Sequence, residues 1–255
     1  MKKIVLLCLT IVLISYNYLF GFSAGFMGSG AAKNAGGGPV ALASCSGPLS
    51  GTGSDGCLFR ETFEGSNDCG SWGTYETCDN AWTYGAGLEP DYTTSAISGS
   101  RSLFGDNVSE NAFTEITDSD EVYVATAIKW SALPSSDNTV LKLTTANGAT
   151  SYCHLRIYST NQMLVQNDGG TQQQDSVALS VATVYYFMLR GKIGTGANAE
   201  CQGYISTNGS SWTDGTLSND GTWQVQLPAI KVEGTTNTDK VLDDIRVSTT
   251  SINYW

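Results

Sequence analysis

Short segments in which apolar and polar residues alternate recur along this chain, and residues typical of turns separate them. The clearest is Val122–Trp130, where the even-numbered residues form one apolar face and Lys129 lies on the other. Asn208-Gly209 is a hairpin signal, because this pair adopts positive φ at little cost. No segment keeps a 3.6-residue period. Further strands are predicted over residues 58–63, 139–145, 153–158, 163–166, 184–193, 202–206, 229–233 and 242–248. The pattern predicts an all-β protein built as an antiparallel two-sheet sandwich.

Composition agrees with this prediction and excludes some functions. Charged residues make up only 15% of the chain, whereas amphipathic helices need many of them. The formal net charge of −11 would repel a phosphate backbone, so nucleic acid is excluded as a partner. His154 is the only histidine, which excludes mechanisms that need two.

The N-terminus has the pattern of an export signal. Lys2 and Lys3 precede an apolar run over Ile4–Ile14, and small residues follow it, so we predict a signal peptide over residues 1–23. A retained membrane anchor is the alternative, because the apolar stretch approaches spanning length. Leu42–Cys45 resembles a bacterial lipobox, but it lies far beyond the apolar run. We therefore expect a secreted or cell-surface protein.

Cysteine usage also indicates an oxidising compartment. Outside the signal there is an even number of cysteines, which favours disulfides. They are Cys45, Cys57, Cys69, Cys78, Cys153 and Cys201. Six cysteines allow fifteen connectivities, among which proximity favours 45–57, 69–78 and 153–201. A zinc site is disfavoured, because there is no C-x-x-C pair and only one histidine.

Residue composition divides the chain into regions. Residues 24–56 are rich in glycine, serine and alanine and are predicted to form a flexible linker or arm. That arm acts either as a spacer or as a tail without a role. The folded domain is predicted for residues 57–249, followed by a short tail over residues 250–255.

The order of several motifs resembles the concanavalin A-like jelly-roll superfamily, especially its laminin-G-like and MAM-like modules. The motifs are Glu61–Gly65, Cys69–Trp72, Ser98–Leu103 and Leu242–Ser248. Galactose-binding-like carbohydrate modules share the opening and closing patterns. The resemblance implies a jelly-roll sandwich and a role in glycan binding or adhesion. It also implies a structural calcium, held in many such modules by an early glutamate and a late aspartate. The matching positions are Glu64 and Asp243 or Asp244, whose alternative roles are turn capping and solvent exposure.

Aromatic residues near predicted turns are candidate sugar-binding groups, because sugars present flat C–H faces that pack on aromatic rings. The candidates are Trp72, Tyr75, Trp82, Tyr84, Tyr92, Trp212 and Trp223. Burial of a given tryptophan beneath its loop is the alternative.

No catalytic residues are predicted. Retaining glycoside hydrolysis needs two carboxylates about 5 Å apart on one sheet face, whereas the acidic cluster Asp118–Glu121 has the composition of a turn. His154, Arg156 and Tyr158 do share one strand face. Polysaccharide lyases in related folds also carry residues of these types together on one sheet face. We therefore predict a non-catalytic carbohydrate-binding or adhesive module whose partner is a glycan or cell-surface polysaccharide. A self-associating structural or appendage protein is the alternative, and a lyase or hydrolase is less favoured.

Overall fold

The computed structural model describes residues 46–47, 57–64, 67–68, 77–78, 82–84, 89–92, 96–105, 111–146, 148–168, 170–233 and 240–254. The predicted signal peptide, and the predicted linker apart from residues 46–47, lie outside these ranges. Contacts divide the chain into two units, Met1–Ala41 and Leu42–Trp255, and every described residue belongs to the second. In these ranges no helix is long and apolar enough to cross a membrane.

All regular structure in the described residues is β-strand. In chain order the strands are β1 (Ser46–Gly47), β2 (Phe59–Glu61), β3 (Asn67–Asp68), β4 (Thr77–Cys78), β5 (Thr83–Tyr84), β6 (Glu89–Tyr92), β7 (Arg101–Gly105), β8 (Asn111–Ser119), β9 (Glu121–Trp130) and β10 (Asn138–Thr144). They continue with β11 (Ser151–Ile157), β12 (Gln162–Asn167), β13 (Gln172–Ala178), β14 (Tyr185–Lys192), β15 (Ala199–Ser206), β16 (Thr213–Gly221), β17 (Leu227–Glu233), β18 (Lys240–Ser248) and β19 (Asn253–Tyr254).

Two antiparallel sheets pack face to face. One has seven strands in the order β13-β12-β11-β10-β17-β8-β5, and the other has eight, with β2 added beside β18 to the path β16-β15-β14-β9-β18-β7-β6. The chain changes sheets repeatedly, for example from β7 to β8, from β8 to β9 and from β17 to β18. The predicted fold class, an all-β antiparallel sandwich, is confirmed.

Alternating side chains of both sheets form the core between them. On β9 the predicted face is fully buried, including Val122, Val124 and Trp130. Trp130 packs edge-to-face on Phe187 of the neighbouring strand β14, with ring centroids 5.7 Å apart. Leu155 faces them from the seven-stranded sheet. Burial of this apolar surface is the main force that holds the sheets together.

A disulfide also crosses the core. Cys153 on β11 and Cys201 on β15 belong to different sheets and are bonded, with Cα atoms 5.5 Å apart. This predicted pairing is confirmed. Cys57 is disulfide-bonded as well, but its predicted partner Cys45 lies outside the described residues. The same holds for Cys69, so its pairing with Cys78 stays a prediction.

The two ends of the described unit meet. Ser46–Gly47 pairs in parallel with Asn253–Tyr254, so strand pairing extends beyond the domain predicted for residues 57–249. The Tyr254 ring packs against Tyr186 on the outer face of the eight-stranded sheet, and its hydroxyl donates to the main-chain oxygen of Asp244. The last described strand is therefore anchored by both apolar packing and a buried hydrogen bond.

Candidate functional site

A line of side chains crosses the outer face of the seven-stranded sheet. Strand register places one residue of each strand directly beside the next, and all are partly or fully exposed, because their sequence neighbours point into the core. The residues are Phe113, Lys231, Lys142, His154, Gln166 and Gln172. We call these six residues the cross-strand row.

Two lysines of the row share one carboxylate. Lys142 Nζ donates to Glu233 Oε1 at 2.6 Å, and Lys231 Nζ lies 3.3 Å from the same oxygen. The three side chains are only 15–17% exposed. Burial alone would raise the pKa of Glu233, but the hydrogen bond from Lys142 and both lysine charges outweigh it and lower that pKa. These charged groups are therefore partly buried rather than fully hydrated.

Arg156 lies two residues along β11 from His154 on the same outer face. Its Nη1 donates to Gln166 Oε1 at 2.9 Å, while Nη2 lies 3.6 Å from Asp137 Oδ2. Its Nε–H is buried and has no hydrogen-bond partner in the described part of the chain. One edge of the guanidinium is thus engaged by the protein, and the Nε–Nη2 edge is not fully used.

His154, at the middle of the row, is neutral at physiological pH. Burial lowers its pKa to about 4, and the charges of Lys142 and Arg156 contribute in the same direction. A neutral imidazole both donates and accepts a hydrogen bond. The row therefore combines two cations with groups that can bond to hydroxyls.

Side-chain amides continue this surface at the sheet edge. Gln174 on β13 donates from Nε2 to Gln162 Oε1 at 2.6 Å and to the Thr160 hydroxyl at 2.8 Å. Gln172, also on β13, is exposed at the end of the row. Amides offer donors and acceptors in one group, which suits the recognition of hydroxyl-rich ligands.

The structure corrects the sugar-stacking prediction for two tryptophans. Trp82 and Trp223 are only 3% and 5% exposed, so neither ring can receive a ligand. Each indole N–H bonds instead to a buried side-chain oxygen, that of Glu61 for Trp82 and that of Asn167 for Trp223. Each indole ring can be buried because its N–H bonds to an acceptor that is distant in sequence.

The other aromatic candidates do not lie on the row. Trp212 is half-buried with the cluster on the eight-stranded sheet, and its Nε1 donates to the main-chain oxygen of Ile252. Tyr84 and Tyr92 lie on β5 and β6, but their side chains fall outside the description, as do Trp72 and Tyr75. For these four the stacking role stays a prediction.

Asp244, a predicted calcium ligand, is surrounded by cations. Arg60 donates to both of its carboxylate oxygens at 2.9 Å, and Arg246 donates to both at 3.0 and 2.6 Å. Asp244 is fully buried at a bulge in β18, with a φ of 45°. Two guanidinium groups balance the charge of this carboxylate, so it has no need of a metal ion.

The other two predicted ligands hold a turn. Asp243 Oδ2 accepts from the main-chain N–H and hydroxyl of Ser98, and Glu64 accepts from the N–H groups of Ser100 and Arg101. Gly99 between them has a φ of 59°, and a Cβ there would lie 2.4 Å from a Glu64 oxygen. Burial raises the pKa of Asp243 to about 7, although these hydrogen bonds oppose the rise.

This donor set does not fit calcium, which takes six to eight oxygens around one point. The carboxylates of Glu64, Asp243 and Asp244 face N–H and O–H donors instead. Among the residues that the structure describes, no group of three acidic, histidine or cysteine side chains could hold a metal ion. The calcium prediction thus has no support from this arrangement.

The sequence predicts only part of this face. Alternation places His154 and Arg156 on one strand face, but it does not connect them with Lys142, Lys231 or Gln166. Alternation within residues 139–145 does put Lys142 on the polar face. The missing information was the register between strands, which no local pattern contains.

No family model and no curated protein matches this sequence. Similar solved structures include an endo-β-1,4-glucuronan lyase from the fungus Trichoderma reesei, at 10% identity and a TM-score of 0.48, covering 76% of this chain and 96% of that one. A PL-14 alginate lyase from Aplysia kurodai has 8% identity and a TM-score of 0.47, covering 64% and 87%. The carbohydrate-binding module CBM66 from Bacillus subtilis has 9% identity and a TM-score of 0.43, covering 66% and 94%. At these values the likeness carries no argument about function, and the fold rests on the strand pairings above.

Proposed function

We propose that this protein is an exported glycan-binding module and that the cross-strand row is its binding face. The row offers a neutral imidazole, amide groups and two cations along one line, with Phe113 at one end. Glycan hydroxyls need both donors and acceptors, and an apolar ring can cover a sugar face. The buried disulfide Cys153–Cys201 supports export, because such bonds persist in oxidising compartments.

The proposal rests mainly on one observation: charged side chains are partly buried on the outer face of the seven-stranded sheet. Lys142, Lys231 and Glu233 keep less than a fifth of their side-chain surface exposed. Partial burial of charge costs free energy, and interactions there are screened less by water and salt than on a flat surface. Recessed titratable groups gathered in this way are typical of ligand sites.

We propose binding without hydrolysis. The carboxylate of Glu233 is held ionised between two lysines, so it is a poor proton donor. Glu115 also lies on the outer face, but it is four positions along β8 from Asn111, the residue paired with Glu233. That distance is about 13 Å along a strand, beyond the 5–10 Å or so that glycosidase carboxylates require.

Glycan screening tests the proposal. The secreted protein is applied to a panel of neutral and acidic glycans, together with Lys142→Ala, His154→Ala and the matched control Lys192→Ala, which removes an exposed lysine from the other sheet. We expect binding by the parent and the control, and at least tenfold weaker binding by the other two variants. Loss of binding in the control alone would place the site elsewhere.

Two further measurements separate the alternatives. Reducing-end and unsaturated-product assays should stay at background, and a signal that disappears in His154→Ala would replace the binding role with catalysis. Size-exclusion chromatography should show a monomer. A polymer that binds no glycan would instead support a structural protein.

A further inference from the structure

We propose that Asn208 is a site of spontaneous modification, at which the main-chain nitrogen of Gly209 attacks the side-chain amide and converts it to aspartate or isoaspartate. This pair lies in the turn that joins β15 to β16 in the eight-stranded sheet. The turn is not part of the cross-strand row, so the inference is independent of the proposed function. Three observations carry it: the hydrogen bonds of the amide oxygen, one serine that links the reacting groups and the exposure of Asn208.

The side-chain carbonyl of Asn208 is polarised for attack on its carbon. Its Oδ1 accepts from the main-chain N–H groups of Ser210 at 3.0 Å and Ser211 at 2.8 Å. It also accepts from the hydroxyls of Ser206 at 2.9 Å and Ser210 at 3.3 Å. When a nucleophile adds to Cγ, negative charge develops on Oδ1, and donors that already surround this oxygen stabilise the charge. The turn therefore contains its own oxyanion hole.

Ser206 connects the nucleophile with this oxygen. The Gly209 N–H donates to Ser206 Oγ at 2.9 Å, and the Ser206 hydroxyl donates to Asn208 Oδ1. An amide nitrogen becomes a nucleophile only when it loses its proton. The two hydrogen bonds form a path that carries this proton through the hydroxyl to Oδ1 while the new bond forms. Because Ser206 is only 4% exposed, water competes little for either hydrogen bond.

The reaction needs only water as a co-reactant. A bond forms between Gly209 N and Asn208 Cγ, and the bond between Cγ and Nδ2 then breaks. The proton that left Gly209 moves from Oδ1 to Nδ2, which departs as ammonia. Water opens the resulting five-membered succinimide at either carbonyl and gives aspartate or isoaspartate. Asn208 is exposed, so ammonia can leave and water can enter.

The two products differ in their effect on the turn. Aspartate keeps the main chain unchanged, and its carboxylate can accept from the same N–H and O–H donors. Isoaspartate adds a methylene to the main chain and displaces Gly209. The Gly209 carbonyl accepts from the main-chain N–H of Tyr254, and a Cβ on Gly209 would lie only 2.5 Å from the Tyr254 Cβ. Isoaspartate should therefore weaken the attachment of β19.

Peptide mapping of aged protein tests the proposal. The secreted protein is incubated near neutral pH, either folded or in guanidinium chloride, and the mass gain and isoaspartate content of each peptide are followed with time. Asn147–Gly148, the other Asn-Gly pair of the sequence, is the internal reference. We expect the two pairs to react at similar rates in guanidinium chloride. Asn208 should react at least threefold faster in the folded protein than in guanidinium chloride.

Two serine variants test the proton path. Ser206→Ala removes the hydroxyl between Gly209 and Oδ1, so we expect the folded-state rate at Asn208 to fall at least fivefold. Ser210→Ala is the matched control, because it removes the longer hydroxyl contact to the same oxygen and keeps the main-chain donor. It should react within twofold of the parent. All three proteins should react alike in guanidinium chloride.

The pH dependence is a second test, because Ser206→Ala also loosens the turn. In the unfolded chain hydroxide must remove the Gly209 proton, so the rate rises with pH. The path through Ser206 needs no hydroxide, and the folded parent should therefore show a shallower rise than the unfolded protein. Equal slopes would overturn the role of Ser206.

The remaining outcomes are equally decisive. A folded-state rate at Asn208 below the unfolded rate, or a faster reaction in Ser206→Ala, would overturn the proposal, because the Ser206 hydrogen bonds would then protect the turn. Protein enriched in isoaspartate should melt about 2–4 °C lower than fresh protein, the shift that loss of one hydrogen bond gives in a domain of this size. An unchanged Tm would overturn the effect on β19. Glycan binding should not change, so failure of this proposal and failure of the proposed function are distinguishable.

Discussion

The indole Nε1 of Trp82 donates a hydrogen bond to Oε2 of Glu61, 3.1 Å away. Both side chains are buried, and the other carboxylate oxygen accepts from the main-chain N–H of Phe63. Phe63 has a φ of 61°, so the carboxylate stabilises an unusual turn just after β2. Trp82 therefore has a structural role.

Replacing this indole should affect stability and leave binding unchanged. Trp82→Phe keeps an aromatic ring but removes a donor to a buried carboxylate, so we expect the free energy of unfolding to fall by about 1–3 kcal/mol. Urea denaturation measures the loss, and glycan titration should give the parent affinity. Trp212→Phe, which alters a half-buried indole, is the control and should cost less. A variant with parent stability and no glycan binding would contradict this assignment.

The disulfide between the sheets should contribute strongly to stability. Cys153 and Cys201 are 48 residues apart in sequence, and closing a loop of that length is worth about 4 kcal/mol in the chain-entropy model. We expect Cys153→Ala/Cys201→Ala to melt roughly 10 °C lower, since 1 kcal/mol shifts Tm by about 2–4 °C in a domain of this size. Calorimetry measures the shift. An unchanged Tm would show that the bond adds nothing to core packing.

Asp243 should make the protein less stable as pH rises. Its pKa is raised from 3.8 when unfolded to about 7 when folded, so the folded state holds the proton more tightly. The resulting stabilisation is complete below pH 3.8 and is lost as pH rises through 7. Urea denaturation between pH 4 and 8 should show that the parent loses on the order of a few kcal/mol relative to Asp243→Asn. A constant difference between the two proteins would contradict the shift.

His154 should act in the opposite direction within an overlapping range. Its pKa falls from 6.5 when unfolded to about 4 when folded, so the unfolded state binds the proton more tightly. The stabilisation is present above pH 6.5 and is lost as pH falls through 4. Relative to His154→Gln, the parent should therefore gain stability between pH 4 and 6.5. NMR titration of the imidazole gives a direct check, and a pKa near 6.5 in the folded protein would refute the prediction.

Local sequence predicted the strands whose side chains alternate strongly, and it missed those that are mostly polar. Val122–Trp130 corresponds to β9, because burial of one face selects a period of two. β13 begins with three glutamines and lies at a sheet edge, so no apolar period indicates it. β16 is also an edge strand and contains three glycine or asparagine residues, Gly215, Asn219 and Gly221.

The site was harder to predict than the fold, because it depends on which strands become neighbours. His154 lies beside Lys142 and Gln166 only in the observed register. The pairing of β10 with β11 contains two register shifts. The same limit applies to Trp223, whose acceptor Asn167 is 56 residues away. Contacts of this range are set by the packing of the whole sandwich.

The parallel pairing of Ser46–Gly47 with Asn253–Tyr254 determines how the protein can be displayed. Tyr254 packs on the outer face of the eight-stranded sheet, whereas the cross-strand row lies on the outer face of the other sheet. Any attachment made through residues next to these two strands would join the domain at the side away from His154. Immobilisation at either end, on a sensor or on a cell, should therefore present the proposed glycan face toward the solution.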